Sequence, residues 1–272
     1  MDIVVILTCF NRREKTKKCI QSLSEGNMNI NFTFIVVDDN SSDGTIEMLE
    51  DLNKDYRLHI IEGQGNLFYS GGMRIGMNYV INSLEKKFDF VLMVNDDVEF
   101  FDSCIENMIS ENKTSNSVIV GATCDRKHKL TYGAIKYYSH IKYEKVNISE
   151  NEIKCDTFNA NCVLIPYDSF KKVGSIDSNY VHALGDFDYG LSLKRNGLDI
   201  FSSSKYVGYC ESNSKKDTWG DKDISIVKRI KLKESPKGAP IKYWFYFLHK
   251  NFGLIPALLY SITPFIKIIF KR

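Results

Sequence analysis

Apolar runs and amphipathic segments alternate along the first hundred residues. Apolar runs suited to buried strands lie at residues 3–7, 32–37, 58–61 and 90–94. The intervening segments 14–24, 46–52 and 73–84 space their apolar residues as one face of a helix does, and Gly71-Gly72 is expected to break the chain before the last of them. This alternation predicts βαβ units and an α/β fold with a mostly parallel central sheet flanked by helices.

The pattern changes after about residue 110. Segments 118–120 and 162–165 predict strands, with a polar, Tyr-rich stretch between them. Segment 187–195 predicts a helix that ends at Asn196-Gly197, a common helix terminator. We therefore expect a first half at 1–110, a second half at 111–225, and a tail of different composition at 226–272.

The tail combines a basic run, an aromatic cluster and a long apolar segment. The apolar segment 254–270 is interrupted by Pro256, Pro264 and Lys267, and a spanning helix needs about 20 apolar residues, so a full crossing is not expected. The combination resembles a monotopic anchor on a membrane surface. The alternative is a pair of helices packed on the body or on a second subunit, which would make the protein a homodimer.

Composition narrows the class of protein. The formal net charge of +2 over 272 residues does not suggest a nucleic-acid partner. The seven cysteines include no CxxC pair, which argues against a structural zinc site and a disulfide scaffold. The first apolar run follows an acidic Asp2 and is too short for a signal core. These features predict a cytoplasmic protein, peripheral on the inner face of the cell membrane if the tail is an anchor.

Two predicted strands end in acidic clusters. Residues 34–37 lead into Asp38-Asp39-Asn40, and residues 90–94 lead into Asn95-Asp96-Asp97. Adjacent carboxylates at the end of a buried strand repel and lose solvation, so a cation or a set of hydrogen-bond donors is expected there. Ligands of parallel sheets bind beyond the carboxyl ends of the strands. The second cluster is therefore the leading metal and phosphate site.

Other phosphate-binding motifs are missing from the sequence. It contains no GxxxxGK motif, and no GxGxxG motif follows the first strand. Gly63-Gln64-Gly65 begins like the second motif, but the residues after it do not complete the motif. A receiver domain is about half this length and carries its acidic pair after the first strand, where this chain has residues 8–12. A nucleotidyltransferase stays open as an alternative, although it would carry a Gly-rich, basic loop at that position.

Five motifs in order resemble a family 2 glycosyltransferase with the GT-A fold, of the bacterial surface-polysaccharide type. They lie within residues 1–212, at 8–12, 37–45, 95–97, 174–177 and 185–190. The resemblance implies an inverting, metal-dependent hexosyl- or deoxyhexosyltransferase. Its donor would be a UDP- or dTDP-sugar and its acceptor a lipid-linked or growing surface glycan. Residues 1–110 would bind the nucleotide sugar and residues 111–225 the acceptor.

The resemblance also implies roles for individual residues of the donor side. Phe10 could stack on a uracil or thymine ring, or pack in the core. Asp39 could accept a hydrogen bond from the imide N–H of that base. Alternatively, it could cap the turn at 42–44, although Asp38 or Asp43 could cap that turn instead. Arg74 could reach the phosphates or form a surface salt bridge. The remaining donor-side candidates are Thr8, Asn11, Arg12, Asn95 and Asn161, of which Asn161, like Asn159, could simply be a turn residue.

The metal and the catalytic base come from the later motifs. The resemblance implies that Asp97 binds Mn²⁺ or Mg²⁺ and that Asp96 contacts the ribose or metal-bound water. Asp186 is the candidate general base, with Asp188 as the second choice, and His182 would line the acceptor pocket.

The chain departs from the family pattern at two places. Gly185 replaces the usual Glu beside the base, and residues 206–212 lack the late histidine that binds the metal in many relatives. Cys210 or Glu211 could substitute for that histidine. These departures leave a non-catalytic binding scaffold as a further alternative.

Overall fold

Each apolar run of the first hundred residues forms a strand, and each amphipathic segment forms a helix. The computed structural model describes residues 1–111, 117–151 and 153–270. The elements of the first half are β1 (Asp2–Cys9), α1 (Arg13–Glu25), β2 (Asn31–Asp38), α2 (Thr45–Leu52), β3 (Leu58–Glu62), α3 (Phe68–Asn82) and β4 (Phe90–Val94).

These strands form the parallel part of one large sheet. Its order runs β3-β2-β1-β4, all parallel, and β1 pairs with β2 so that Cys9 lies opposite Asp38. Alternate residues of β1 enter two different buried clusters, Ile3, Val5 and Leu7 in one, Val4 and Ile6 in the other. The sheet is therefore covered by apolar side chains on both faces, and the predicted α/β class with a mostly parallel sheet is confirmed.

The second half adds short strands and completes the sheet. Its elements are β5 (Glu99–Phe100), α4 (Cys104–Glu111), β6 (Ser117–Cys124), β7 (Leu130–Tyr132), β8 (Ala134–Ser139), β9 (Lys142–Lys145), β10 (Lys154–Cys155), β11 (Thr157–Phe158), β12 (Cys162–Pro166), α5 (Tyr167–Val173), α6 (Gly185–Arg195) and β13 (Asp199–Tyr209). Strand β12 runs antiparallel to β4 and β6, and β6 runs parallel to β13. Strands β11, β8 and β9 form a separate small sheet. The Tyr-rich stretch is thus strands and turns rather than a long loop.

Two helix starts differ from the prediction. Helix α3 begins at Phe68, so Gly71-Gly72 lies inside it rather than before it. A Cβ on Gly72 would lie 2.3 Å from Oγ1 of Thr8, so the absence of a side chain is what lets α3 approach β1 closely. Helix α6 begins at Gly185, two residues before the predicted start, and its predicted end is confirmed by Gly197 at φ +86°.

The tail folds into short helices. They are α7 (Ile226–Lys233), a 3₁₀ turn (Pro236–Gly238), α8 (Ile241–Phe252), α9 (Leu254–Tyr260) and α10 (Thr263–Phe270). Phe247, Leu248 and Ala257 are buried in a cluster that also contains Tyr180 of the second half. No helix within the described ranges has both the length and the apolar content needed to cross a bilayer. Residues 112–116, at the expected boundary between halves, and 271–272 lie outside the described residues.

Candidate active site

A cleft of about 450 Å³ opens at the edge of the sheet where β1, β2 and β4 end. Because those strands are parallel, the residues that follow them meet at one edge. All sequence-predicted site residues except Asn11 and Arg74 line this cleft: Thr8, Phe10, Arg12, Asp39, Asn95, Asp96, Asp97, Asn161, His182 and Asp186. The topology therefore joins motifs that are up to 178 positions apart in the chain.

Asp39 closes one end of the cleft. Its carboxylate is 6% exposed and accepts the backbone N–H groups of Gly65 at 2.8 Å, Leu67 at 2.9 Å and Phe68 at 3.1 Å. It therefore orders the loop before α3, and the alternative that it caps the turn at 42–44 is wrong. Asp38 serves the neighbouring turn by accepting the N–H of Ser41 at 2.8 Å. A carboxylate has about four acceptor positions, so one is left on Asp39 for a ligand.

Phe10 offers an aromatic face beside Asp39. It lines the cleft and is 51% exposed, which contradicts the alternative that it packs in the core. An exposed ring costs free energy unless a ligand or partner covers it. A flat base stacked on this ring would recover that cost.

Arg12 bridges the two carboxylates that follow β4. Its Nη1 lies 2.9 Å from Oδ1 of Asp96 and 2.9 Å from Oδ2 of Asp97. Burial raises the pKa of Asp96 to about 6, and the guanidinium opposes that rise. The side chain of Asp97 is more exposed than that of Asp96, at 18% against 7%, and Cys210 approaches it with an Sγ–Oδ1 distance of 3.5 Å.

The donor set at this position fits a cation that shares its ligands with a diphosphate. Within residues 1–111, 117–151 and 153–270, no three His, Cys, Asp or Glu side chains are grouped to hold a metal. Burial, assisted by Asp97, raises the pKa of Cys210 to about 12, and a thiol is a softer ligand than the oxygens that Mn²⁺ and Mg²⁺ prefer. Mg²⁺ is commonly held by one or two carboxylates plus substrate phosphates. Asp97, the more exposed of the two carboxylates here, is an oxygen ligand of the kind that this arrangement needs.

Asp186 lies across the cleft, at the start of α6. The backbone N–H of Phe187 donates to its Oδ1 at 2.9 Å, and burial raises its pKa to about 6. A carboxyl group with that pKa accepts a proton readily near neutral pH. The alternative base, Asp188, is 1% exposed and accepts hydrogen bonds from Lys250 and Asn251. Since those contacts hold it away from the cleft, Asp186 is the better candidate.

Ser70 explains why residue 185 is glycine. A Cβ on Gly185 would lie 2.3 Å from Oγ of Ser70, which donates to the carbonyl of His182 at 2.6 Å. The hydroxyl of Ser70 therefore fills the space that a glutamate would need. It ties the loop before α6 to helix α3 instead.

His182 faces the cleft as a neutral ring. Burial, with Lys237 as a second cause, lowers its pKa to about 4. Its Nδ1 lies 3.4 Å from the backbone N of Tyr69, and its ring meets those of Phe68 and Tyr69 edge-on. Because Nδ1 accepts the N–H of Tyr69, the Nε2–H of the neutral ring is left to donate to a carbohydrate hydroxyl.

The structure differs at Arg74 and Asn11 from the prediction that both residues bind the substrate. Arg74 is inside α3 rather than at its start, and its Nη1 donates to the carbonyl of Tyr180 at 3.0 Å, so the partner of this side chain is a backbone carbonyl rather than a surface carboxylate. Asn11 lies outside the cleft and accepts the N–H of Ser42 at 2.8 Å. Both residues hold the loops that surround the cleft.

Sequence reasoning missed several residues that line the cleft, namely Phe68, Tyr69, Tyr132, Asn213 and Lys237. Phe68 and Leu184 have positive φ angles of 54° and 73°, which non-glycine residues rarely adopt. Such strain concentrates at functional sites. No local signal marks these positions, because each owes its place to a loop or to the folded tail.

A family comparison identifies the family of the chain. The model of glycosyl transferase family 2 matches residues 4–174, which is more than half of the chain. The chain belongs to glycosyl transferase family 2. The resemblance read from the motifs is thereby confirmed at the level of the family, and the nucleotidyltransferase alternative loses its support.

Relatives of this family 2 glycosyltransferase are distant. The hexosyltransferase Agl10 of low-salt glycan biosynthesis in Haloferax volcanii is 20% identical over 206 residues, which cover 73% of this chain and 64% of Agl10. The chain thus spans less than two thirds of that relative.

Solved structures share the fold over nearly the whole chain. The mannosyltransferase PcManGT from Pyrobaculum calidifontis, in complex with GDP-Man and Mn²⁺, has a TM-score of 0.61 at 10% identity, covering 98% of this chain and 73% of its own. TarS 1-349 of S. aureus with UDP-GlcNAc has a TM-score of 0.59 at 13% identity, covering 100% and 82%. At these identities the likeness establishes a common GT-A-like fold.

Proposed function

We propose that this chain is an inverting glycosyltransferase that moves a sugar from a UDP- or dTDP-linked donor to a glycan acceptor. The observation that carries the proposal is the cleft itself. It brings together Phe10 and Asp39, which we assign to the base, Asp96 and Asp97, which we assign to the diphosphate, and Asp186, a carboxyl group of raised pKa.

The residues divide the reaction between them. Asp186 removes the proton of the acceptor hydroxyl as its oxygen forms a bond to C1 of the sugar. The bond from C1 to the diphosphate breaks on the opposite face, so the configuration inverts. In this proposal His182 and Asn161, which line the cleft, orient sugar hydroxyls, and Phe10 and Asp39 hold the base.

A divalent cation completes the diphosphate end of this proposal. Asp97 would hold Mn²⁺ or Mg²⁺ together with the diphosphate, and the cation would neutralise the charge that develops on the leaving group. Asp96 and Arg12 lie beside that position, so Arg12 is available as a further cation for the phosphates. PcManGT, which has the same fold, is in complex with Mn²⁺.

A donor panel tests the activity. We expect the chain to release UDP or dTDP from one member of a panel of UDP-, dTDP- and GDP-sugars in the presence of Mn²⁺. That donor should also raise Tm, because it binds only the folded state. A matched assay with free nucleotides identifies the base. Binding without turnover on every donor and acceptor would instead favour the non-catalytic scaffold.

We further propose that the tail binds the membrane surface and that the acceptor is lipid-linked, as in surface-polysaccharide assembly. Helices α9 and α10, with the turn between them, expose large apolar side chains at a helical spacing: Leu254, Ile255, Leu258, Leu259, Ile262, Ile266, Ile269 and Phe270. We call this set the apolar ridge. A patch of this kind marks an interaction site.

Charge favours an anionic bilayer as the partner of the apolar ridge. Helix α7 packs on α10 through Arg229, whose Nη1 donates to the carbonyl of Ile268 at 3.1 Å. Helix α7 also carries exposed Lys228 and Lys231, and Lys267 is exposed on α10. Basic residues beside an apolar helix face are the pattern of interfacial helices that bind anionic lipids.

Vesicle binding tests this part of the proposal. Burial of one Leu or Ile contributes roughly 1.5–3 kcal/mol, so L259E combined with I266E should weaken binding to phosphatidylglycerol vesicles by at least about 100-fold. M28E is the control, because Met28 is 86% exposed and far from the ridge in the chain. Co-sedimentation measures the effect. Unchanged vesicle binding with loss of a dimer in light scattering would assign the ridge to a second subunit.

A further inference from the structure

Helix α8 of the tail places Lys250 between two acidic side chains of the second half. Its Nζ lies 2.6 Å from Oδ2 of Asp177 and 2.7 Å from Oδ2 of Asp188. Tyr246 donates to the same oxygen of Asp177 at 2.8 Å, and Asn251 donates to Oδ1 of Asp188 at 2.8 Å. Residues 246–251 of α8 thus contact both carboxylates.

The bridge is too buried to be a surface ion pair. The side chain of Asp188 is 2% exposed, that of Asp177 18% and that of Lys250 27%. Burial alone would raise the pKa of Asp177, but hydrogen bonds from Lys250, Asn179 and Tyr246 hold it well below its ordinary value. Removal of the ammonium would leave two carboxylates facing each other with little water to solvate them.

Each carboxylate belongs to an element of the active site. Asp188 lies in the first turn of α6, two residues after Asp186. Asp177 begins the segment 177–184, which carries His182 and leads into α6. The bridge therefore holds both ends of the segment that presents the base and the neutral histidine.

Helix α3 holds the same segment from the other side. The N–H of Gly71 donates to the carbonyl of Val181 at 3.1 Å, Arg74 to that of Tyr180 at 3.0 Å, and Ser70 to that of His182 at 2.6 Å. The segment is thus clamped between the donor-side helix α3 and the tail helix α8. Without α8, only one of these two supports is left.

We propose that Lys250 is a positioning residue, which makes the tail part of the catalytic apparatus as well as a surface for docking. This inference rests on the proposed role of Asp186 as the base. Lys250 touches no substrate; it fixes α6 and segment 177–184 so that Asp186 and His182 meet the acceptor. Misplacement of a reacting group by about 1 Å can cost on the order of 100-fold in rate.

The test separates positioning from stability. K250M should lower kcat by roughly 10–100-fold and leave the Kd of the free nucleotide within about twofold of the wild type, since the base-recognition end is not attached to α8. K250R should restore most of kcat, because it keeps the charge. K242M is the matched control on α8, where Lys242 is exposed. All rates are measured well below each Tm, on donor hydrolysis and on a soluble acceptor.

A milder variant covers the case in which K250M does not fold. Y246F removes only the hydrogen bond to Asp177 and should lower kcat by a few-fold, again with unchanged nucleotide affinity. A wild-type kcat in folded K250M would overturn the proposal. If K250M does not fold, a wild-type kcat in Y246F would overturn it. A loss of nucleotide affinity as large as the loss of kcat would overturn it as well. A wild-type protein without turnover would instead overturn the proposed function, so the two failures are distinct.

Discussion

D186N should abolish sugar transfer while nucleotide binding persists. A general base typically contributes 10²–10⁴-fold to the rate, and we expect a loss in that range. The amide keeps the shape of the side chain but cannot take the proton. Steady-state kinetics together with nucleotide titration measure the two effects. D199N is the control, because Asp199 is half exposed on β13, where it pairs with Lys154.

The pH dependence gives a second readout of the same residue. The base works as the carboxylate, so kcat/KM should fall as the pH drops through about 6, the pKa to which burial raises Asp186. Ionisation of Asp186 has the opposite effect on the stability of the fold. A carboxyl whose folded pKa is raised destabilises the fold once it ionises, so D186N should raise Tm above pH 6.

A mutant that transfers sugar at the wild-type rate would show that Asp186 is not the base. Loss of nucleotide binding and transfer together would point to a role in the donor site instead. Unchanged Tm above pH 6 would mean that solvent reaches the carboxylate more freely than its burial implies.

D97N should remove the dependence of nucleotide binding on Mn²⁺. Asp97 is the proposed carboxylate ligand, and a neutral amide holds a hard divalent cation far more weakly. A ligand at 100 times its Kd stabilises the fold by about 2.7 kcal/mol, so the Mn²⁺-dependent rise in Tm with UDP should disappear. Differential scanning fluorimetry with and without EDTA measures it. D102N is the control, because Asp102 is exposed on the loop before α4.

Arg12 defines the outcome that would contradict a metal role for Asp97. Its guanidinium bridges Asp96 and Asp97 and already carries a positive charge at this end of the cleft. If the wild-type protein turned over at full rate in EDTA, charge neutralisation would belong to Arg12 rather than to a cation. R12M should then cost more activity than D97N.

The helices and strands of the first half follow closely from the sequence. Strand β4 spans the predicted residues 90–94, because a short apolar run bounded by polar residues has few other stable placements. Helix α3 is the exception. Its glycines suggested a break, but contact with Thr8 on β1 turns them into a packing surface, and that contact is not visible in a local pattern.

The position of the cleft is also predictable from the order of the elements along the chain. Asp39 and Asn95 directly follow parallel strands, and parallel strands end at one edge of a sheet, so their meeting follows from the order of elements. The direction of a long side chain does not follow from that order. Arg74 turns to the backbone at Tyr180, and Arg12 lies between two carboxylates, because their partners come from segments more than 80 positions away.

The sequence by itself determined the family, the α/β class and most of the residues that line the cleft, since motifs at strand ends need only the order of strands to be placed. Tertiary structure added the contacts that distinguish the two candidate bases, of which the motif already favoured Asp186. Asp186 and Asp188 are both aspartates and lie two positions apart, and the structural difference between them comes from Lys250 and Asn251, which contact Asp188 rather than Asp186 after α8 has folded back on α6. Contacts between remote segments depend on the packing of whole elements, and no local pattern encodes them.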